Sequence, residues 1–170
     1  MSKIFVDELA GIANANTVAI PGHVIQVVDG RYAGTGSGQQ SITSSSYVDV
    51  TGVTASITPS STSSKIKVTM TYQAGVFNSG NGSAYGAVQI VRGATAIFAP
   101  ANPQNMYVEG AGSSNMQYRL YQTLTIVDSP NTTSEVTYKL QAKLSSGGSD
   151  QMTFHYDDSP ASVVLEEIAG

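Results

Sequence analysis

The chain has 170 residues, of which 12% are charged, and its formal net charge is -4. This length suits one domain with an ordinary core, and the charge balance lacks the basic stripe that nucleic-acid binding requires. The chain contains no cysteine, which excludes a disulfide framework and a zinc site built from cysteines. We therefore predict no nucleic-acid partner, and stability that comes from core burial or from assembly.

The N-terminal segment differs in pattern from the rest of the chain. Phe5, Leu9 and Ile12 are spaced i, i+4 and i+7, which predicts the apolar side of a short helix. No signal peptide and no run of about 20 apolar residues is present, so we expect cytoplasmic synthesis and no membrane insertion. We interpret residues 1–20 as an arm for docking or subunit contact, anchored by these three side chains; a frayed terminus is the alternative.

The remainder, residues 21–170, has the alternation typical of β-strands buried on one side. Apolar residues fall at every second position from Ile66 to Tyr72 and again from Val136 to Leu144, which is the period of a strand. Turn-forming clusters of Gly, Pro, Asn and Ser separate such segments. We predict an all-β fold, an antiparallel β-sandwich of jelly-roll type. The predicted strands are 23–33, 47–58, 64–77, 84–92, 94–99, 116–128, 134–144, 151–156 and 161–168.

Three local features refine this prediction. A break near Gly52 is expected inside the second strand, and the Arg92-Gly93 pair predicts a tight hairpin in which glycine takes a positive φ. The segment from Pro100 to Asn115 is predicted to be a long loop that carries function.

Several segments of the β domain resemble small β-structured modules in fibre proteins of tailed bacteriophages, especially those that infect bacteria such as cyanobacteria. These segments cover about half of the chain and are IPGHVIQVV (20–28), YVDVTGVTASITPSSTSSKIKVTMTYQAGV (47–76), VQIVRGATAI (88–97), DSPNTTSEVTYKLQAKL (128–144) and LEEIA (165–169). The resemblance implies a homotrimeric knob at the host-facing end of a fibre, exposed on the virion and made in the host cytoplasm. It also implies contacts with other virion proteins through the N-terminal arm.

Two functions remain open at this stage. The protein is either a tail-fibre or fibre-tip module that attaches to a host surface glycan or protein, or a structural decoration, head-fibre or adaptor protein that binds no receptor. Its place on the particle, tail or capsid, is equally open. A bacterial carbohydrate-binding domain is a third reading, weakened by the missing export signal.

The candidate binding residues lie in the predicted long loop. Tyr107 offers an amphipathic ring, and the neighbouring amides of Gln104 and Asn105 can add hydrogen bonds to a sugar or protein. The alternative is an ordinary loop tyrosine that folds back onto the domain.

No catalytic or cofactor site is predicted. His23 and His155 are the only histidines, no GxSxG nucleophile elbow accompanies them, and we expect both to be solvated or at an interface. No two carboxylates are placed for glycan hydrolysis, and the Gly-rich segments 34–38 and 110–114 do not lead into helices that could cradle phosphate. Asp150, Asp157 and Asp158 could offer oxygens to calcium, although Asp-Asp-Ser-Pro is also ordinary turn chemistry.

Overall fold

The computed structural model describes residues 21–34, 38–80, 82–110 and 115–170. The predicted arm, with Phe5, Leu9 and Ile12, lies outside the described residues, as does most of both Gly-rich segments. The strands in the described residues are β1 (Val24–Tyr32), β2 (Gln40–Ile42), β3 (Val48–Ile57), β4 (Lys65–Asn78), β5 (Gly82–Arg92), β6 (Thr95–Phe98), β7 (Met106–Gly110), β8 (Met116–Asp128), β9 (Val136–Leu144), β10 (Gln151–Phe154) and β11 (Ala161–Ile168). In this part of the chain, no helix has the length and apolar character needed to cross a membrane.

These strands form two antiparallel sheets. In the six-stranded sheet, β8 pairs with one edge of β4 along its whole length, and β11 and β10 share the other edge. Beyond them lie β1, which pairs with β11, and β2, which pairs with β10. In the five-stranded sheet, β9 lies between β3 and β5, while β6 and β7 pair with β5.

The order of pairing is nested, and this defines the topology. The first strand pairs with the last, β3 with β9, β4 with β8, and β5 with the adjacent β6 and β7. With β2 paired to β10 inside the β1–β11 pair, this is one long antiparallel hairpin whose pairs are distributed between the two sheets, which is the jelly-roll arrangement. The predicted antiparallel jelly-roll sandwich is therefore confirmed.

The core lies between the sheets and is built by the predicted alternation. Val68, Met70 and Tyr72 of β4 are 0% exposed, and so are Tyr138 and Leu140 of β9 from the opposite sheet. The intervening residues of β4 point to the other face and are only partly covered. Period-2 patterning thus assigned the buried face of the two clearest strands correctly.

Two predicted turns are also confirmed. Gly93 has φ +59° at the β5–β6 hairpin. Gly52 has φ +74°, and the register of β3 against β9 shifts between Asp49 and Thr54. A Cβ at residue 52 would overlap the ring of Tyr32, so glycine is required there for both conformation and space.

The structure corrects the predicted elements at three places. The predicted loop from Pro100 to Asn115 contains β7, whose Met106 is 1% exposed, because five residues of alternation next to glycines are too short a signal. β2 was missed because Ile42 is its one apolar residue. The strand predicted at 151–156 ends at Phe154, and a 3₁₀ turn follows at Tyr156–Asp158.

One buried carboxylate joins three segments. Glu167 of β11 is 0% exposed and accepts hydrogen bonds from the Ser60 backbone N–H and hydroxyl, both at 2.7 Å, and from the Gln26 side-chain amide. Burial works to raise the pKa of Glu167, but the polar groups of Ser64, Ser60 and Gln26 outweigh it and hold that pKa below its ordinary value. The ionised carboxylate therefore ties the β3–β4 turn to β1 and β11.

Substitutions on the core-facing and solvent-facing sides of these strands should differ strongly in their effect on stability. We expect Val68→Asp and Tyr138→Asp each to prevent folding, because an unpaired charge in the core costs several kcal/mol. Lys139→Ser should cost less than about 1 kcal/mol, since Lys139 makes a half-exposed ion pair with Asp49 at 2.8 Å. Thermal melts check this, and the reverse order would show that the strand register is wrong.

Glu167 should make stability depend on pH in the acid range. Because the folded-state pKa is lowered, its contribution is present above the unfolded-state pKa of about 4.3 and is lost as the pH falls through the folded-state pKa. Glu167→Gln should lower the free energy of unfolding by about 1–3 kcal/mol at pH 7, with a smaller difference near pH 3. Urea titrations at both pH values test this; equal losses would mean that Glu167 is protonated at neutral pH.

Candidate binding groove

An open groove with a volume of about 730 Å³ lies on the outer face of the six-stranded sheet. Its floor is formed by outward residues of β1, β11 and β4, and its walls by residues from β8 and from the loops at the ends of β1 and β11. The lining residues are Val27, Asp29, Arg31, Tyr32, Ala33, Thr71, Tyr121, Pro160, Ala161, Ser162 and Val164.

Strand register places the polar floor residues side by side. Ser162 of β11 lies opposite Arg31 of β1 on one side and Thr71 of β4 on the other. Thr71 in turn pairs with Thr123 of β8, and their hydroxyl oxygens are 2.9 Å apart. This row crosses four strands spaced about 4.8 Å apart and offers hydroxyl donors and acceptors on three of them.

The floor carries charge only as a neutral pair. Arg31 Nε lies 2.6 Å from Asp29 Oδ2, and the side chains are 78% and 38% exposed. Farther along the same face, Lys67 and Glu166 form a second pair at 2.6 Å. Both pairs keep free hydrogen-bonding capacity toward a ligand, since guanidinium and carboxylate groups have more donors and acceptors than one contact uses.

Two tyrosines form the walls of the groove. Tyr121 on β8 points outward from the sheet and is 55% exposed. A polar residue was expected at this outward position. Tyr32 at the end of β1 is held from behind by His155, whose ring centroid is 4.2 Å from that of Tyr32. The exposed ring of Tyr121 can stack on a flat apolar surface while its hydroxyl remains hydrated.

His155 is the support of this wall, which corrects the expected solvated or interface position. It is 1% exposed, and its ring nitrogens lie 2.9 Å from the Thr51 carbonyl oxygen and 3.2 Å from that of Ser159. Burial lowers the pKa of His155, although the contacts with those two carbonyls act in the opposite direction. The expectation failed because the strand ends at Phe154, so alternation no longer sets the side-chain direction. His23, in contrast, is exposed.

The turn after His155 has an unusual backbone. His155, Asp157 and Asp158 have φ values of +56°, +53° and +55°, a left-handed conformation that non-glycine residues adopt infrequently and that aspartate and histidine tolerate best. The Gly38 N–H donates to Asp158 Oδ1 at 3.3 Å. The side chain of Asp158 thus links this turn to the loop that follows β1.

Asp150, Asp157 and Asp158, the residues that could offer oxygens to calcium, do not form one cluster. Asp150 Oδ1 accepts hydrogen bonds from the Ser79 N–H at 3.0 Å and the Ser79 hydroxyl at 3.2 Å, which is a turn-capping role. Within the described ranges, no group of three or more acidic or histidine side chains is arranged to hold a metal ion.

The predicted binding residues lie in β7 of the five-stranded sheet and in the loop before it, outside the groove. Tyr107 belongs to β7, is 45% exposed, and shares a 2.6 Å hydrogen bond with Ser83. The Asn105 side chain accepts a hydrogen bond from the Val88 N–H at 3.0 Å and donates one to the Val88 carbonyl at 3.3 Å. It therefore ties the loop before β7 to β5. Gln104 is exposed. None of these three residues lines the groove.

Sequence reasoning missed the residues of the groove because they are distant in the chain. A signal was present in β8, where Tyr121 and Val127 occupy the outward phase and are 55% and 58% exposed. Large apolar residues on the face expected to be polar indicate a contact surface.

Comparisons with known proteins do not assign this chain to a family. No family model matches, and no curated protein matches in sequence. Among solved structures, the chain is similar to dimeric latent PorU from Porphyromonas gingivalis, with 15% identity, a TM-score of 0.40, and coverage of 89% of this chain and 13% of that one. It is also similar to structures of infectious bursal disease virus. For the Gt strain the identity is 16% and the TM-score 0.40, with coverage of 96% of this chain and 37% of that one. For the Gx strain the identity is 16% and the TM-score 0.37, with coverage of 85% of this chain and 32% of that one. Likeness at this level carries no functional conclusion.

Replacing His155 should loosen the groove wall and the whole domain. We expect His155→Ala to lower the free energy of unfolding by about 2–4 kcal/mol, because it leaves a cavity beside Tyr32 and removes the imidazole N–H that one of the two carbonyls accepts. Urea titration measures this loss. A loss below about 0.5 kcal/mol would show that His155 does not support the wall.

His155 should also make the stability of the fold decrease at mildly acid pH. Because its folded-state pKa is lowered, its contribution to stability decreases once the pH falls below the unfolded-state value of about 6.5. His155→Asn, which tolerates the left-handed backbone and cannot be protonated, should remove this decrease between pH 7 and 5. Thermal melts across this range check the prediction. If the variant keeps the decrease in melting temperature, a group other than His155 causes it.

Proposed function

We propose that the protein is a surface component of a tailed-bacteriophage virion that attaches to a host-surface glycan through the groove. The observation that carries this proposal is the groove itself, a concave site with a hydroxyl-rich floor, one Arg–Asp pair and an exposed tyrosine on its wall. The resemblance of segments 20–28, 47–76 and 128–144 to phage fibre modules supports the virion as the setting.

The chemistry of the groove suits a sugar. A pyranose presents an apolar ring face and a rim of hydroxyl groups, so it pairs with an aromatic ring and with groups that both donate and accept hydrogen bonds. Tyr121 supplies the ring, Thr71 and Ser162 supply hydroxyls, and Arg31 and Asp29 supply a donor and an acceptor of opposite charge. The volume of about 730 Å³ lies within the range of small-ligand sites.

A structural role without receptor binding is the second candidate, and one observation favours it. Val27 and Val127 on the same outer face are both 58% exposed, and the charges around them are already paired. Covering this exposed apolar surface with another virion protein is favourable, because it removes apolar area from water. A decoration or adaptor protein would use the face in this way.

Adsorption to host cells should separate the two candidates. We expect Tyr121→Ala to weaken adsorption of virions or purified protein about tenfold, equivalent to about 1.4 kcal/mol, because it removes the stacking surface. Ser162→Tyr, which fills the floor, should have the same effect without touching β8. The matched control is Tyr107→Ala, which removes an exposed tyrosine from the opposite sheet.

The readout must distinguish binding from assembly. The proposal requires that both groove variants keep the wild-type melting temperature and join virions normally while host adsorption falls. Unchanged adsorption by both variants would overturn it. Loss of virion incorporation by both, with the control intact, would favour the structural candidate.

A further inference from the structure

The outer edge of β8 is a long strand edge without a partner in the described part of the chain. β8 pairs with β4 through every residue from Met116 to Asp128 on one side, and no described strand pairs with its other side. An open edge presents a row of backbone N–H and C=O groups that can form a ladder with another strand.

This edge lacks the features that keep strand edges apart. Natural edge strands are protected by lysine, proline, bulges or short length, whereas β8 spans 13 residues and carries Arg119 as its one charged side chain before Asp128. Met116, Leu120 and Tyr121 are 40%, 59% and 55% exposed. Leu120 lies in the core-facing phase, opposite Ala74 of β4, yet the five-stranded sheet leaves it uncovered.

We propose that β8 pairs antiparallel with β8 of a second copy of this chain, across a two-fold axis near Gln122. The sequence of the strand is compatible with its own reverse in this register. Arg119 lies opposite Thr125 of the second copy, so no like charges meet, and Leu120 lies opposite Leu124, which covers its exposed side chain. Opposite residues in such a ladder interact directly, and like charges there would be destabilising.

This contact goes beyond the proposed attachment function and predicts a different oligomeric state. A two-fold contact uses the same surface on both copies and closes after two. It therefore generates a dimer, whereas the phage resemblance implies a trimer. It also places the two Tyr121 walls near one axis, because the residue lies one position from Gln122.

The chain permits a clean crosslinking test because it contains no cysteine. In antiparallel pairs, directly opposite residues have Cα atoms about 4.5–5.5 Å apart, within the range that a disulfide spans. Gln122→Cys in the full chain should therefore form a disulfide-linked dimer under mild oxidation. The matched control Thr133→Cys, at an exposed loop position, should remain uncrosslinked at the same protein concentration.

A second variant tests the edge without covalent capture. Leu120→Lys places a charge on an already exposed side chain, so it should leave the melting temperature of the fold nearly unchanged. Light scattering should show twice the 17.7 kDa chain mass for the wild type and one chain mass for Leu120→Lys. A wild-type monomer at tens of micromolar, a trimer, or a dimer that survives Leu120→Lys and does not crosslink through residue 122 would each overturn the proposal. These readouts are independent of host adsorption.

Discussion

The burial of one face of β4 is the constraint on which the rest of the structure depends. This strand pairs with β8 along one edge and with β11 and β10 along the other, and its inner row from Ile66 to Val76 lies at the centre of the core. Because side chains alternate strictly, the register of β4 also decides which residues of three neighbouring strands face solvent. The groove floor is a direct consequence: Thr71 faces outward because Tyr72 faces inward.

Nested pairing then brings distant segments together at the surface. The first and last strands are neighbours, so Arg31 and Ser162 lie opposite each other, and β8 adds Tyr121 across β4. The Tyr32 wall depends on less regular contacts. It requires a glycine at residue 52, which leaves space for the Tyr32 ring, and a buried His155 in a left-handed conformation. Together these two residues fix the position of the Tyr32 ring.

The surface uses contact chemistry more than long-range electrostatics. Charged residues are few, and on the outer face of the six-stranded sheet four of them form the ion pairs Arg31–Asp29 and Lys67–Glu166, both at 2.6 Å. With little net field to steer a charged partner, recognition on this face must come from shape, hydroxyl hydrogen bonds and apolar rings. Both the groove and the β8 edge have this character, and they share one strand, so ligand binding and self-association would act on the same element.

The sequence by itself determined the fold class, the phases of β4 and β9 and the positive-φ turn at Gly93, because each is encoded by local alternation or by one residue's backbone preference. The tertiary structure alone decided the rest. β7 became a strand by pairing with β5, which five residues of weak alternation could not specify. Glu167 and His155 gained their roles from partners such as Ser60 and Thr51, more than 100 residues away in the chain. The groove exists because pairing aligns β1, β11, β4 and β8, and no local pattern records which strands will be neighbours.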